Sequence, residues 1–181
     1  MLRDPWQRMS AGTRSRTFVR VALVAVVLTV VLGQIGAPLR SPAAPDGIIS
    51  YELAGSYERS AAILRSWDAS VRESATISLI VDYLYLVAYP VAISLGCAIV
   101  AGRLRPRRPE LAAIALVLSW GALVAGALDA VENAALLRQL VAGPGALTAR
   151  IAMVASIAKF SLVAVTLPCA LLALLPVRPK A

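Results

Sequence analysis

Four long apolar blocks constrain the fold of this chain more than any other feature of its sequence. Each block holds about the 20 residues that a helix needs to cross roughly 30 Å of hydrocarbon. In lipid every backbone N–H and C=O group needs a partner within the protein, so such runs are expected to be helical. The short alternating segments of a membrane β-barrel are absent. The blocks are residues 18–36, 75–101, 111–140 and 150–175.

These blocks predict an all-α fold, a transmembrane four-helix bundle. The segments between the blocks are predicted to be a basic arm, an outer loop, a basic inner loop, a second outer loop and a short tail. In chain order they are residues 1–17, 37–74, 102–110, 141–149 and 176–181.

Composition excludes several classes of protein. Hydrophobic residues make up 59% of the chain and charged residues 15%, whereas a soluble domain is about half apolar and about a quarter charged. There is no histidine, and Cys97 and Cys169 lie far apart in apolar blocks, which excludes histidine-based triads, zinc patterns and a redox cysteine pair. No nucleotide-binding glycine motif is present. We therefore predict no catalytic triad, no metal and no cofactor.

The basic residues predict the orientation of the helices. Positive charges flank the blocks on the side that carries both chain ends, and cytoplasmic loops of membrane proteins carry such an excess. We expect a multi-pass protein of the bacterial inner (plasma) membrane with both termini in the cytoplasm. The net charge of +8 then favours contact with membrane lipids over nucleic acid, because no aromatic and basic surface accompanies it. The residues concerned are Arg3, Arg8, Arg14, Arg16, Arg20, Arg103, Arg105, Arg107, Arg108, Arg178 and Lys180.

The first apolar block also has a competing interpretation. Its basic flank and the small residues at 41–43 are compatible with a cleavable signal peptide. An uncleaved helix is favoured, because three remaining crossings would leave the basic tail outside. Both alternatives stay open on sequence alone.

The first outer loop is predicted to carry an extra amphipathic interfacial helix. The loop opens with APLRSPAAPDG, which is typical of extended chain. Apolar residues then recur at helical spacing from Tyr57 to Val71, and Ser56 is a candidate N-cap. Trp67 and the tyrosines suit a membrane interface. We expect this helix to cover the outer mouth of the bundle, either simply as a cover or as a lid over a binding cavity, and the preceding IISYELAG to dip against the bundle.

Ionisable residues occur inside three of the four blocks. Asp82, Asp129, Glu132 and Lys159 all fall at depths that belong to the outer half of the membrane. A charge in hydrocarbon is costly and normally faces a partner or water. We therefore predict one polar cluster under the outer mouth.

Helical spacing supports this convergence. Tyr85 and Tyr89 share a helix face with Asp82, and Asn133 shares one with Asp129. Small residues on the same faces allow close approach of a neighbouring helix. Pro90 lies in the second block, where it frees the carbonyl of Leu86 and is expected to kink the helix.

The charges of the predicted cluster do not balance, since three acids meet one base. One acid must then be protonated or reach water, and it could exchange protons or meet a cationic ligand beside the tyrosine rings. The simpler interpretation is structural. Lys159 pairs with Asp82 or Glu132, Asn133 bonds across, and the network only sets helix register.

Three segments carry a resemblance to a known group of proteins. They are IISYELAGS, DYLYLVAYP and LDAVENAALL. Between about Ile48 and Lys159 the chain resembles a family of small, uncharacterised bacterial four-span membrane proteins. The resemblance implies no activity. It implies only that Glu52, Asp82, Asp129, Glu132 and Asn133 belong to one sequence pattern.

Three functional hypotheses follow from the sequence. In the first, a polar pocket near the outer face binds or moves a lipid-like or cationic small molecule, in one form coupled to protons. In the second, the chain is a structural or accessory subunit whose small-residue faces pack against a membrane-protein partner or a second copy. In the third, Asp129 and Glu132 act as general acid and base on a lipid head group, although no nucleophile or metal triad accompanies them. The balance leans away from an enzyme.

Overall fold

The structure is a computed structural model, and it describes residues 3–176. Within this range the chain is helical and has no strand, so the predicted all-α class is confirmed. The predicted tail with Arg178 and Lys180 lies outside the described residues. The helices are α1 (Ala11–Gly36), α2 (Ile48–Glu52), α3 (Tyr57–Ser66), α4 (Ala69–Leu104), α5 (Pro109–Ala142) and α6 (Ala146–Leu171).

Four of these helices, α1, α4, α5 and α6, are long and apolar enough to cross a membrane, with mean hydropathy between 2.1 and 2.4. The chain is thus a multi-pass membrane protein by length and composition. All four helices begin before their apolar blocks, and in two of them a polar side chain caps the first free N–H groups. Ser10 accepts from the N–H of Thr13 at the start of α1, and Asp68 accepts from that of Val71 at the start of α4.

Helix α4 lies at the centre of the bundle. It packs against α1, α5 and α6, whereas α1 packs mainly against α4. About two thirds (67%) of the most apolar stretch of α4 is buried, against 6% for α1. Small residues allow the central contacts, since a side-chain carbon on Gly96 would come within 2.8 Å of the Cβ of Ala170. Most side chains of α1 therefore face away from the protein.

The segment after α1 is folded against one end of the bundle, which we call the loop end; it carries residues 37–68 and 143–145. Residues Ala37–Leu39 form a 3-10 turn, and a short bridge pairs Ser41 with Ala44. Leu39 is fully buried, and its carbonyl accepts a hydrogen bond from the indole of Trp67 at 2.9 Å. The expectations of extended chain here and of Trp67 at the interface are therefore wrong, because both side chains complete an apolar core.

Helices α2 and α3 cover this core. Ser56 caps α3 as predicted, accepting from the N–H of Arg59 at 3.3 Å. In α2, Tyr51 is fully buried, and its hydroxyl donates to the carbonyl of Leu136 at 3.2 Å. The expected dip of this segment against the bundle is confirmed. It brings the neighbouring Glu52 against α5 and α6.

Residues 3–10 fold back on the opposite end, which we call the terminal end; it also carries residues 105–108 and 172–176. The indole of Trp6 donates to Ser94 Oγ of α4 at 2.9 Å, and the indole of Trp120 donates to the carbonyl of Arg3 at 2.9 Å. Ser94 Oγ lies 2.8 Å from Ser119 Oγ of α5. The basic arm is thus fixed to the bundle along its described part.

Candidate functional site

Lys159 lies among three carboxylates about midway along α6. Its Nζ is 2.7 Å from Asp129 Oδ1, 2.9 Å from both carboxylate oxygens of Glu132, and 3.8 Å from Glu52 Oε2. All four residues are buried, with no more than 8% of any of them exposed. One ammonium thus faces three carboxyl groups in a buried site.

Three helices position this cluster. Asp129 and Glu132 stand one turn apart on α5 and share the face that packs on α6. Lys159 projects from α6, and Glu52 ends α2, which the buried Tyr51 anchors to α5. Two membrane-spanning helices and the first loop thus contribute charges to one place.

Asp82 of α4 joins the cluster indirectly. Its Oδ2 accepts a hydrogen bond of 2.7 Å from Asn133 Nδ2, and Asn133 follows Glu132 on α5. No ion pair within 4.0 Å joins Asp82 to Lys159 among the described residues. Of the two partners expected for Lys159, the structure therefore provides Glu132 and adds Asp129 and Glu52.

Glu52 is the acid of the cluster that lies outside the membrane-spanning helices. Burial raises the pKa of Glu52 well above its usual range, and the nearby carboxylate of Glu132 raises it further, while Lys159 lowers it. Its Oε2 has no hydrogen-bond partner among residues 3–176. Glu52 therefore holds a proton at pH values where an exposed glutamate has lost it.

A cavity of about 450 Å³ lies beside the cluster, between α1, α4 and the folded loop. Glu52, Asp82 and Asp46 line it, so three acidic residues and one basic residue, Arg40, contribute to its wall. The remaining wall is mostly apolar or small. It consists of Leu32, Gly33, Gly36, Ala37, Ile48, Ile49, Ser78, Leu79 and Asn133.

The two tyrosines of the predicted site are not part of this wall. The rings of Tyr85 and Tyr89 lie 4.9 Å apart in an apolar cluster with Ile93, deeper along α4. The Tyr89 hydroxyl is buried and has no hydrogen-bond partner in the described part of the chain. The structure therefore brings together Glu52, Asp129, Glu132 and Lys159 and links Asp82 and Asn133 to them, and neither tyrosine lines the cavity.

Two charged residues of the cavity, Arg40 and Asp46, were not predicted to belong to the site, because both lie in the segment expected to be extended. Gly47 directly follows Asp46 and has φ +62°, a conformation that glycine adopts without strain. This turn directs the chain into α2. An Asp-Gly pair directly before a helix is a turn signal that could have placed Asp46 near Glu52.

No group of three or more His, Cys, Asp or Glu side chains is placed to hold a metal ion within residues 3–176. The ammonium of Lys159 occupies the space between the buried carboxylates. The site can therefore hold or release protons and attract a cation from the cavity side.

Comparison of the chain with protein-family models, with curated proteins and with solved structures found no match.

Proposed function

We propose that this chain is a bacterial inner-membrane protein that binds a small organic cation in the cavity under its first outer loop, and that a proton on Glu52 competes with the ligand. The observation that carries the proposal is the charge of the wall, to which three acidic residues and one basic residue contribute. The excess of arginines at the terminal end supports an orientation with both termini in the cytoplasm.

The remaining wall favours a ligand with an apolar body. Leu32, Ile48 and Leu79 border the cavity, and a volume of about 450 Å³ is in the range of small-molecule sites. A lipophilic cation would bury apolar surface against these side chains and direct its charge to the carboxylates. Gly33 contributes to the space, since nothing lies within 4 Å of where its side chain would be.

The cluster explains how binding could couple to protons. Glu52 faces both the cavity and Lys159. When Glu52 is protonated, the wall loses one negative charge and attracts a cation less. When a cation enters, it favours the ionised form of Glu52, so one proton should leave as the ligand binds.

The first test replaces the carboxylate of Asp82. Asp82→Asn should weaken binding of tetraphenylphosphonium, a lipophilic monovalent cation, on the order of tenfold, because the variant keeps the shape of the wall and removes one charge. Equilibrium dialysis of the purified detergent-solubilised protein measures this. Tetraphenylborate, an anion of the same shape, should bind neither protein.

The matched control is Glu73→Gln, which removes an exposed acid from the same helix away from the cavity wall. It should leave the affinity unchanged. Equal affinity for the cation in wild type and Asp82→Asn, or equal binding of the anion, would remove the proposal.

The second test concerns pH. Because burial raises the pKa of Glu52, affinity for tetraphenylphosphonium should rise as pH increases, and proton release should accompany binding. In Glu52→Gln this rise should be largely lost, with affinity at alkaline pH falling to about the acidic wild-type value. The charged groups that face Glu52 or share its cavity are Lys159 on α6, Asp129 and Glu132 on α5, Asp82 on α4, and Arg40 and Asp46 in the loop.

The pH dependence of protein stability is an independent test of proton binding at Glu52. A raised pKa in the folded state means that the contribution of Glu52 to stability is complete below the ordinary glutamate pKa, and is lost as pH rises through the raised value. The melting temperature of the wild type should therefore fall across this window, and that of Glu52→Gln should fall less. Identical pH profiles for both proteins would contradict proton linkage through Glu52.

The other two hypotheses gain no observation of their own. Two of the small residues that suggested an accessory subunit pack within the chain, Gly96 against Ala170 and Gly126 against Pro90. Asp129 and Glu132, the acids of the head-group enzyme hypothesis, are both engaged by Lys159. A cation-binding protein is therefore the function that the geometry supports best.

A further inference from the structure

We propose that the groove at the terminal end binds the head group of an anionic phospholipid, with the phosphate near Arg3 and Arg105 and an acyl chain along the small residues of α4 and α5. This site lies at the opposite end of the bundle from the cation cavity. It is independent of the function proposed above.

The groove has a volume of about 580 Å³ and is bounded by the N-terminal segment, the end of α4 and the start of α5. Its floor is made by small side chains, and Leu116 closes its deeper end. Gly102 and Ala113 are exposed and Leu116 is half-buried, so these residues offer an acyl chain an apolar surface beside the rim, above the buried Ala98, Ala101 and Ala112. The small residues are Ala98, Ala101, Gly102, Ala112 and Ala113.

The rim of the groove is basic. Arg3, Arg14 and Arg105 line it, against one acid, Asp4. Arg14 is already engaged, since it pairs with Asp4 at 2.6 Å and donates to the carbonyl of Trp6 at 2.7 Å. No ion pair within residues 3–176 involves Arg3 or Arg105. Two guanidinium groups thus remain for an anion, and guanidinium is well matched to phosphate oxygens.

The wall that carries Arg3 is held in place by specific bonds. Trp120 donates to the carbonyl of Arg3, and Trp6, three residues later, donates to Ser94 inside the bundle. The arginine therefore extends from an anchored backbone. The groove is a concave surface between three segments. The residues that give its rim a positive charge are held by anchored backbone.

Depth favours a lipid over a free anion. Leu116, which is half-buried, lies seven residues after Pro109 at the start of α5, and this separation corresponds to roughly 10 Å along a helix. The groove therefore runs from the basic rim into the apolar part of the bundle. A free phosphate would occupy only the rim, whereas a phospholipid would fill the rim and the floor.

The test compares lipids bound to the full-length protein by native mass spectrometry after exchange into mixed micelles of phosphatidylglycerol and phosphatidylcholine. The wild type should retain phosphatidylglycerol preferentially. The double variant Arg3→Gln/Arg105→Gln should lose this preference, by about fivefold for each arginine. The matched control Arg59→Gln/Arg65→Gln removes two exposed arginines from α3 at the loop end and should retain it.

Two further measurements keep the result interpretable. Ala113→Leu fills the groove from an exposed position without changing charge, and it should also reduce retention of phosphatidylglycerol. Inorganic phosphate should not displace the lipid. Unchanged lipid preference in the arginine double variant or in Ala113→Leu, equal loss in the α3 control, or complete displacement by inorganic phosphate would each overturn the proposal.

Discussion

Replacing Lys159 with methionine is expected to lower the free energy of unfolding by about 3 kcal/mol or more, because removal of one partner leaves buried charge uncompensated. Asp129 and Glu132 both lie within 2.9 Å of the Lys159 ammonium. Without it, two carboxylates on one turn of α5 would face each other in a buried site. Loss of an ordinary polar contact between membrane helices costs only about 0.6 kcal/mol, so the two explanations predict different magnitudes.

Denaturant titration of the purified protein in mixed micelles, followed by tryptophan fluorescence, measures this loss. The matched control is Arg150→Met, which removes an exposed cation from the same helix and should change the free energy of unfolding by no more than about 0.5 kcal/mol. A loss for Lys159→Met that stays near the control value would show that the cluster does not hold the fold together.

A neutral version of the cluster separates charge from packing. The triple variant Lys159→Met/Asp129→Asn/Glu132→Gln removes the ammonium and its two closest carboxylates together. It should recover much of the stability lost in Lys159→Met, because replacing all members of a buried charge network by neutral groups is far less costly than removing one.

The convergence of Lys159 with α5 was accessible from sequence because two simple constraints act on it. Helical periodicity places Asp129 and Glu132 on adjacent parts of one helix face, and the cost of an isolated charge in hydrocarbon requires a partner. Depth counted along the helix then brings Lys159 level with them. The sequence offers no comparable rule for choosing the partner of Lys159 among Asp129, Glu132 and Asp82. That choice depends on how the helices rotate when they pack.

The loop contribution to the site could not be derived in the same way. Arg40 and Asp46 reach the cavity because Leu39 is buried under Trp67 and because Gly47 turns the chain. The first cause is a contact between residues far apart in the sequence, and the second is a backbone conformation. Neither produces a periodic pattern in the sequence. Glu52 entered the predicted site only through the resemblance to four-span proteins, and its 3.8 Å approach to Lys159 depends on the same loop packing.

The shared helix face predicted that Asp82, Tyr85 and Tyr89 point the same way, but not what each side chain contacts. Tyr85 and Tyr89 pack in an apolar cluster with Ile93 and do not line the cavity. Helical periodicity predicts the direction in which a side chain points, but it does not predict where a cavity begins or ends. In the same way nothing in the basic arm indicated that Trp6 would reach Ser94.

Replacing Gly126 with alanine is expected to destabilise the bundle, although the same change in the middle of a helix normally stabilises it by up to about 1 kcal/mol. A side-chain carbon at this position would lie 2.5 Å from Pro90 Cγ and 2.9 Å from the carbonyl oxygen of Leu86. Pro90 has no N–H, so this carbonyl lacks its usual helical partner, and α5 approaches it closely because residue 126 has no side chain. Neither the proline ring nor the backbone can move aside without shifting α4.

Overpacking of this kind costs about 1–3 kcal/mol, which exceeds the gain in helix propensity, so the net effect of Gly126→Ala should be a lower melting temperature. Gly121→Ala on the same helix is the matched control, since its new carbon would meet Thr166 Cγ2 at 3.5 Å, an ordinary contact. That variant should be neutral or slightly stabilised. The comparison rests on the sign of the two shifts, so a change in the same direction for both variants would show that α4 and α5 are not packed around Pro90 as described.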